Sequence, residues 1–292
     1  MRVLVAGCGY VGGELGRRLA FEGHEVWGLS RRPNGLPQGV QPWPADLTDP
    51  ATLDGLPADL DAVVYCAAAD GFDEAAYRRA YKEGPRHLLA VLERQKQRPG
   101  RVVFTSSTGV YGQTGGEWVD ESSPVEAQHF SGRVVRQGEE IFLDGPFPAL
   151  VARLGGIYGP GRTRLVHRLR RGEAACVEGE ASWTNRIHRD DAAGALAHLL
   201  ALEAPDDLYL VVDDEPADDC AVLRWLAERL GLEPPPVLPA SEGGRLRRTN
   251  KRVSNQRLRE SGYALRHPTF REGYGELIGA GAGNDACDET HP

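Results

Sequence analysis

The chain has 292 residues, 41% of them hydrophobic and 26% charged, which suits one large α/β domain with a smaller lobe. Its formal charge of −8 excludes a general electrostatic attraction to nucleic acid or anionic lipid, and no stretch reaches the ~18 apolar residues of a membrane span. The cysteines (Cys8, Cys66, Cys176, Cys220, Cys287) are scattered, with no CxxC or Cys/His spacing, so they read as reduced thiols of a cytoplasmic protein with no metal site.

Arg2–Ala6 is a short β-branched apolar run, a strand. It enters Gly7-Cys-Gly9-Tyr10-Val11-Gly12, after which Leu15, Leu19 and Ala20 recur at helical spacing up to Gly23. "HEVWGLS" is the second strand. A GxGxxG between a strand and a helix, inside a βαβ unit, marks a dinucleotide site. Gly7 permits the turn, Gly9 lets the pyrophosphate reach the backbone, and Gly12 lets helix and strand pack closely. Tyr10 and Val11 open the helix, whose N-terminal N–H groups and dipole suit phosphates. At the end of the second strand stand Ser30 and Arg31, not a carboxylate. A hydroxyl and a guanidinium fork suit a 2′-phosphate, so NADP(H) is expected, with NAD(H) as the alternative.

"GVQPWPADL" reads as a third strand ending at Asp46; Asp46 and Leu47 fall where a loop meets the adenine, or Asp46 serves a turn. "LDAVVYCAAA" is a buried parallel strand whose end, Cys66, Ala67 and Ala68, lets a cofactor pass close by. Residues 72–97 read as one helix, 101–107 as a strand, 133–143 as a helix and 148–154 as a strand. This alternation predicts an α/β fold with a doubly wound parallel sheet (Rossmann) and a ligand at the carboxyl ends of the strands. Further on, 155–162 is a Gly/Pro-rich loop, 163–173 and the stretch after His188 are helical, 207–214 is a strand, 219–232 is a helix stopped at Gly231, and "NQRLRESGY" is a short helix. The expected division is a dinucleotide domain over 1–160, its sheet completed by parts of 185–214. A substrate lobe covers most of 161–278, and a disordered tail covers 279–292.

The pieces "AGCGYVG", "ADL", "VVYCAAA", "TSSTGVYG", "RLGGIYGPGR", "NRIHRDDAA" and "YLVVDDEP" occur in this order. Together they resemble the extended short-chain dehydrogenase/reductase family, also called the NAD-dependent epimerase/dehydratase family, over about 1–278. The tight GxGxxG is similar to the atypical branch of that superfamily. The resemblance implies that Ser107 hydrogen-bonds the substrate oxygen, with Thr108 beside it and Tyr111 walling the pocket. It places Leu154 and Gly156 along the nicotinamide end, and Ile157, Tyr158 and Arg162 on the substrate side, Arg162 as an anion contact. The family also carries Tyr-x-x-x-Lys on the helix after the Ser/Thr. In the frame set by Gly132 and Glu139, Ser131 falls on the tyrosine and Val135 on the lysine. His129 and Tyr81 are the nearby groups that could move a proton in their place, Tyr81 lying near an active-site Asn of the family. The family's nucleotide-sugar arginine is replaced by Thr184, with Arg186 two positions away.

Two functions remain open: an NADP(H)-dependent oxidoreductase or epimerase acting on a small carbonyl or hydroxyl substrate, or a protein that senses NADP(H) without turnover. The resemblance also implies pairing of the 72–97 and 133–143 helices in a homodimer.

Overall fold

The computed structural model describes residues 1–281 apart from 33, 180 and 240–249. Cys287 and most of the expected 279–292 tail lie outside the described residues, as does the end of the segment 233–245, which reads in the sequence as a linker.

Seven strands make the central sheet: β1 (Arg2–Ala6), β2 (Glu25–Ser30), β3 (Val40–Pro44), β4 (Ala62–Tyr65), β5 (Arg101–Ser107), β6 (Ala149–Leu154) and β7 (Leu208–Val211). All pair in parallel, in the order β7-β6-β5-β4-β1-β2-β3. The chain starts at β1, winds out to β3, and returns through β4 to β7. Ligand sites in such sheets lie at the carboxyl edge, where the winding reverses.

Side-chain alternation divides the core into two layers. Val3 and Val5 face one side, with Leu15, Leu19, Leu196 and Leu199 from helices α1 (Tyr10–Phe21) and α6 (Arg189–Ala201). Leu4 and Ala6 face the other, with Leu88, Leu92 and Phe142. That side is covered by the segment α2 (Glu74–Arg78), a π-turn (Arg79–Glu83) and α3 (Gly84–Arg94), together with α4 (Phe130–Leu143). The expected 72–97 helix is thus interrupted. The Tyr65 hydroxyl reaches up from β4 and donates to the Ala80 carbonyl at 2.5 Å, which fixes the backbone at the π-turn.

A third cluster, Val166, Leu169, Val222, Leu226, Phe270 and Leu277, forms the smaller lobe. It brings together α5 (Arg164–Arg170), α7 (Asp219–Leu230) and α9 (Phe270–Gly279), the short α8 (Gln256–Glu260) preceding α9 in the chain. The last helix was not expected, although Thr269 and Glu272 form a capping box at its start. The reduced-thiol reading is overturned at two positions. The strand Cys176–Val177 lies against the start of α7, and Cys176 and Cys220 are joined as a disulfide with Cα atoms 5.1 Å apart. Cys8 and Cys66 are thiols, held inert because burial pushes them up to about 11 and about 12. Among the described residues no helix is long and apolar enough to cross a membrane.

Candidate functional site

The glycine loop closes β1 onto α1. Gly7 has φ +95°, and a Cβ there would fall on the Ala67 backbone, so the loop lies directly against the end of β4. Gly9 is the opposite case: it is exposed, and nothing stands within 4 Å of where its Cβ would be. It is also the N-cap of α1, which has no side-chain cap and no acidic residue in its first turn. These features form an uncovered cradle of helix N–H groups that fits a dinucleotide pyrophosphate. Val11 and Gly12 are buried behind it, and Tyr10 is half-buried. Ala67 borders the loop, Cys66 is half-buried, and Ala68 is exposed.

At the end of β2, Ser30 Oγ accepts the Arg32 N–H at 3.2 Å. Arg31 extends toward the end of β4 and meets Asp70 at 3.1 Å, with Arg79 on the same carboxylate at 3.6 Å. The Arg31 hydrogen bond, the largest favourable influence, holds the Asp70 carboxyl below its ordinary range. The Arg31–Asp70 pair is solvent-exposed and therefore weak. Asp46 serves the turn: its Oδ1 accepts from both the Thr48 N–H and hydroxyl at 2.8 Å. Leu47 points its side chain into the core, and its carbonyl meets His87 Nδ1 at 3.0 Å.

Ser107 ends β5, half-buried, and its Oγ accepts the Gly109 N–H at 3.0 Å. This leaves the hydroxyl hydrogen available as a donor. The N-terminus of α4 lies against the turn after Ser107, so close that a Cβ on Gly132 would overlap the Gly109 carbonyl oxygen. Ser131 is adjacent, and its Oγ lies 3.0 Å from His129 Nδ1. The same nitrogen accepts the Ser131 N–H at 3.4 Å, which assigns Nδ1 as acceptor and makes the Ser131 hydroxyl the donor to it. The imidazole stacks on Phe72 at 5.7 Å between centroids. Val135 is buried with Val110, Tyr111, Val119 and Val253, and the Tyr81 ring packs on this cluster. Burial pushes the Tyr81 phenol up to about 12, which makes it a poor proton donor.

Two expected pocket residues are corrected. Tyr111 is fully buried; its hydroxyl accepts from Arg153 at 2.6 Å and donates to the Asp120 carbonyl at 2.8 Å. Tyr158 is 4% exposed and stacks on Tyr274 in the small lobe, so it does not wall a pocket either. Thr108 is nearly buried, Leu154 is buried, Ile157 packs on the α1/α6 layer, and Gly156 is exposed. Arg162 stands by the glycine loop, its guanidinium 4.1 Å from the Tyr10 ring centroid. Arg186 is turned inward to Thr184 and Asp219, so it offers no clamp to a diphosphate.

A buried network escaped the sequence reading. Glu139, fully buried on α4, accepts from Ser106 at 2.5 Å, from Arg153 at 2.8 and 2.7 Å, and from Arg136 at 2.7 Å. Burial opposes its charge, but Arg153 and then Ser106 outweigh it and hold the carboxyl below its usual range. The carboxylate ties α4, which carries Ser131, to β5, which ends at Ser107, and to β6. A second missed group lies at the start of α6. His188, Asp191 and His267 are all buried, with potential ligand atoms within 4.8 Å of one another. Asp191 is already satisfied by His267 Nδ1 at 2.6 Å and by the Arg266 and His267 N–H groups. The trio therefore acts as a polar fastening between α6 and the approach to α9.

The NAD dependent epimerase/dehydratase family matches residues 3–209 of the chain. A Streptomyces protein described as a 3-diazoavenalumate denitrifying reductase is 32% identical, covering 94% of this chain and 99% of its own. The structure of a putative NAD-dependent epimerase/dehydratase from Methylobacillus flagellatus is 39% identical, with a TM-score of 0.78 over 96% of this chain and 98% of that one. The human epimerase family protein SDR39U1 with NADPH shares the fold, at 24% identity and a TM-score of 0.75 over 96% and 99% of the two chains. The family match over residues 3–209 and the Streptomyces relative show that the chain belongs to the NAD-dependent epimerase/dehydratase family.

Proposed function

We propose that this protein is an NADP(H)-dependent oxidoreductase acting on a small carbonyl or hydroxyl substrate, with Ser131 in the tyrosine position partnered by His129 in place of the family's lysine. The observation that carries this reading is the 3.0 Å contact between Ser131 Oγ and His129 Nδ1, beside the turn that follows Ser107. A serine hydroxyl is too weak an acid to act without a partner base, and the imidazole is such a partner. Bound nicotinamide would supply or accept the hydride. Ser107 would hold the substrate oxygen and stabilise the charge that develops on it. Ser131 would pass a proton between that oxygen and His129, and Val135 with its apolar neighbours would keep water away from that side. Ser30 and the exposed Arg31 support NADP(H) over NAD(H), with Asp70 as the competitor a 2′-phosphate would displace.

The relative named for diazo denitrification widens the substrate panel. A hydride acceptor that already carries positive charge, such as an aryl diazonium, needs no proton from the protein. The test is titration of NADPH and NADH, then a screen of carbonyl and aryl diazonium substrates by loss of nicotinamide absorbance. NADPH-dependent turnover that falls in Ser107→Ala supports the enzyme. Tight NADPH binding with no turnover across the panel favours the second reading, an NADP(H) sensor. The specific support for that reading is Val135, which fills the lysine position with core packing.

A further inference from the structure

We infer that Arg162 is a contact for the cofactor pyrophosphate, reaching over from the substrate-side loop; this rests on the dinucleotide reading of the glycine loop. The family pattern puts Arg162 on the substrate side, but its position in the fold points elsewhere. A turn closed by the Arg162 N–H to the Gly159 carbonyl at 2.9 Å sets the residue's direction. The Tyr10 hydroxyl donates to the Pro160 carbonyl at 2.9 Å, which fastens this turn to the first residue of α1. Arg162 then lies over the Tyr10 ring at 4.1 Å, and Arg189 approaches the same ring at 5.4 Å. Burial pushes the Tyr10 phenol up to about 12, so the ring remains neutral and its face attracts cations.

The two arginines differ. Arg189 is paired with Asp190 at 2.9 Å and is three-quarters buried. Arg162 is exposed and has no carboxylate partner among the described residues. Its charge stands over the ring of Tyr10, the residue that follows Gly9, and Gly9 is open and begins a helix without a side-chain cap. A diphosphate seated on those N–H groups would have a guanidinium already stacked on the neighbouring side chain to pair with. Its planar fork suits two phosphate oxygens, and stacking has already restricted its rotamers. The same loop carries Gly156 and Ile157, so cofactor binding and the substrate-side loop would share one residue.

The experiment compares the full-length protein with Arg162→Met, Arg162→Lys and Arg31→Met, measuring dissociation constants for NADPH, NADH and ADP-ribose by calorimetry. Methionine keeps a stem on the Tyr10 ring and removes the charge. Arg162→Met should weaken all three ligands by a similar factor of roughly ten, the value of a hydrogen bond to a charged group. Arg162→Lys should recover part of that loss, and Arg31→Met should weaken NADPH alone. Unchanged binding of all three ligands to Arg162→Met, with the wild-type protein binding them, would overturn the inference. Wild-type protein that binds no dinucleotide would instead remove the reading on which it rests.

Discussion

The substitution Glu139→Gln tests what holds the site together. It keeps the shape and removes the charge from a carboxylate that receives four hydrogen bonds, two of them from Arg153. Arg153 is only 2% exposed, and among the described residues its one other side-chain hydrogen-bond partner is the Tyr111 hydroxyl. The variant thus leaves a guanidinium buried without its counter-charge, a loss of about 3–5 kcal/mol. For a chain of this size that lowers Tm by at least roughly 6 °C. Arg153→Met in the same background should give back part of the loss, because the uncompensated charge is gone; a double-mutant cycle measures this directly. The pH dependence has a definite sign. Glu139 is held below its ordinary range in the folded protein. Its contribution is full above its unfolded value of about 4.3 and is lost as pH falls through the folded one. The gap between wild type and Glu139→Gln should therefore be constant from neutral pH down to about pH 5 and narrow below it. Thermal unfolding of the three variants at several pH values is the assay. A Glu139→Gln protein within about 1 kcal/mol of wild type, or strictly additive losses in the double variant, would refute the reasoning.

Other outcomes follow from the same geometry. Ser107→Ala should lower kcat by roughly a hundredfold with an unchanged fold, and steady-state kinetics with far-UV circular dichroism check both parts. His129→Gln and Ser131→Ala should each lower turnover, and the double variant should be little worse than either alone, as expected of two groups acting as a unit. Installing the family pair as Ser131→Tyr with Val135→Lys should not restore it. The lysine would enter a cluster of Val110, Val119, Leu210 and Val253, and a fall in stability of roughly 3 kcal/mol is expected by denaturation. His267 is disfavoured by burial but raised overall by Asp191 and Glu276, whereas burial, then His267, lowers His188. A proton NMR titration should show the two rings titrating on opposite sides of ordinary histidine. The His267 contribution to stability should be complete below its unfolded value, about 6.5, and lost as pH rises through the folded one.

The dinucleotide half was legible because its signals are local. Gly7, Gly9 and Gly12 lie within six residues, β5 is one unbroken run, and Gly231 ends α7 with φ +66°. Each of those features is decided by neighbours in sequence. The capping box of Thr269 and Glu272 was equally local, so α9 could have been read from it. The remaining differences come from partners distant in sequence. The π-turn depends on the Tyr65 hydroxyl, fifteen positions from the carbonyl it meets, and the Cys176–Cys220 bond closes a separation of 44 residues. No spacing rule selects either partner.

Tyr111 shows the same limit at the site itself. A tyrosine after a catalytic strand end suits a pocket wall as well as a core position, and residue type cannot choose between them. Arg153 makes the choice, 42 residues away, by taking the phenol as acceptor. Glu139 then holds Arg153, and Ser106 of β5 donates to the same carboxylate. In the sequence, Glu139 served only to mark the register of the α4 helix. In the fold it is the group that sets the register physically, because the strand and helix that carry Ser107 and Ser131 meet on its two oxygens. The proton relay proposed for Ser131 and His129 would depend on that buried carboxylate, so Glu139→Gln should disturb turnover even at temperatures where the protein remains folded.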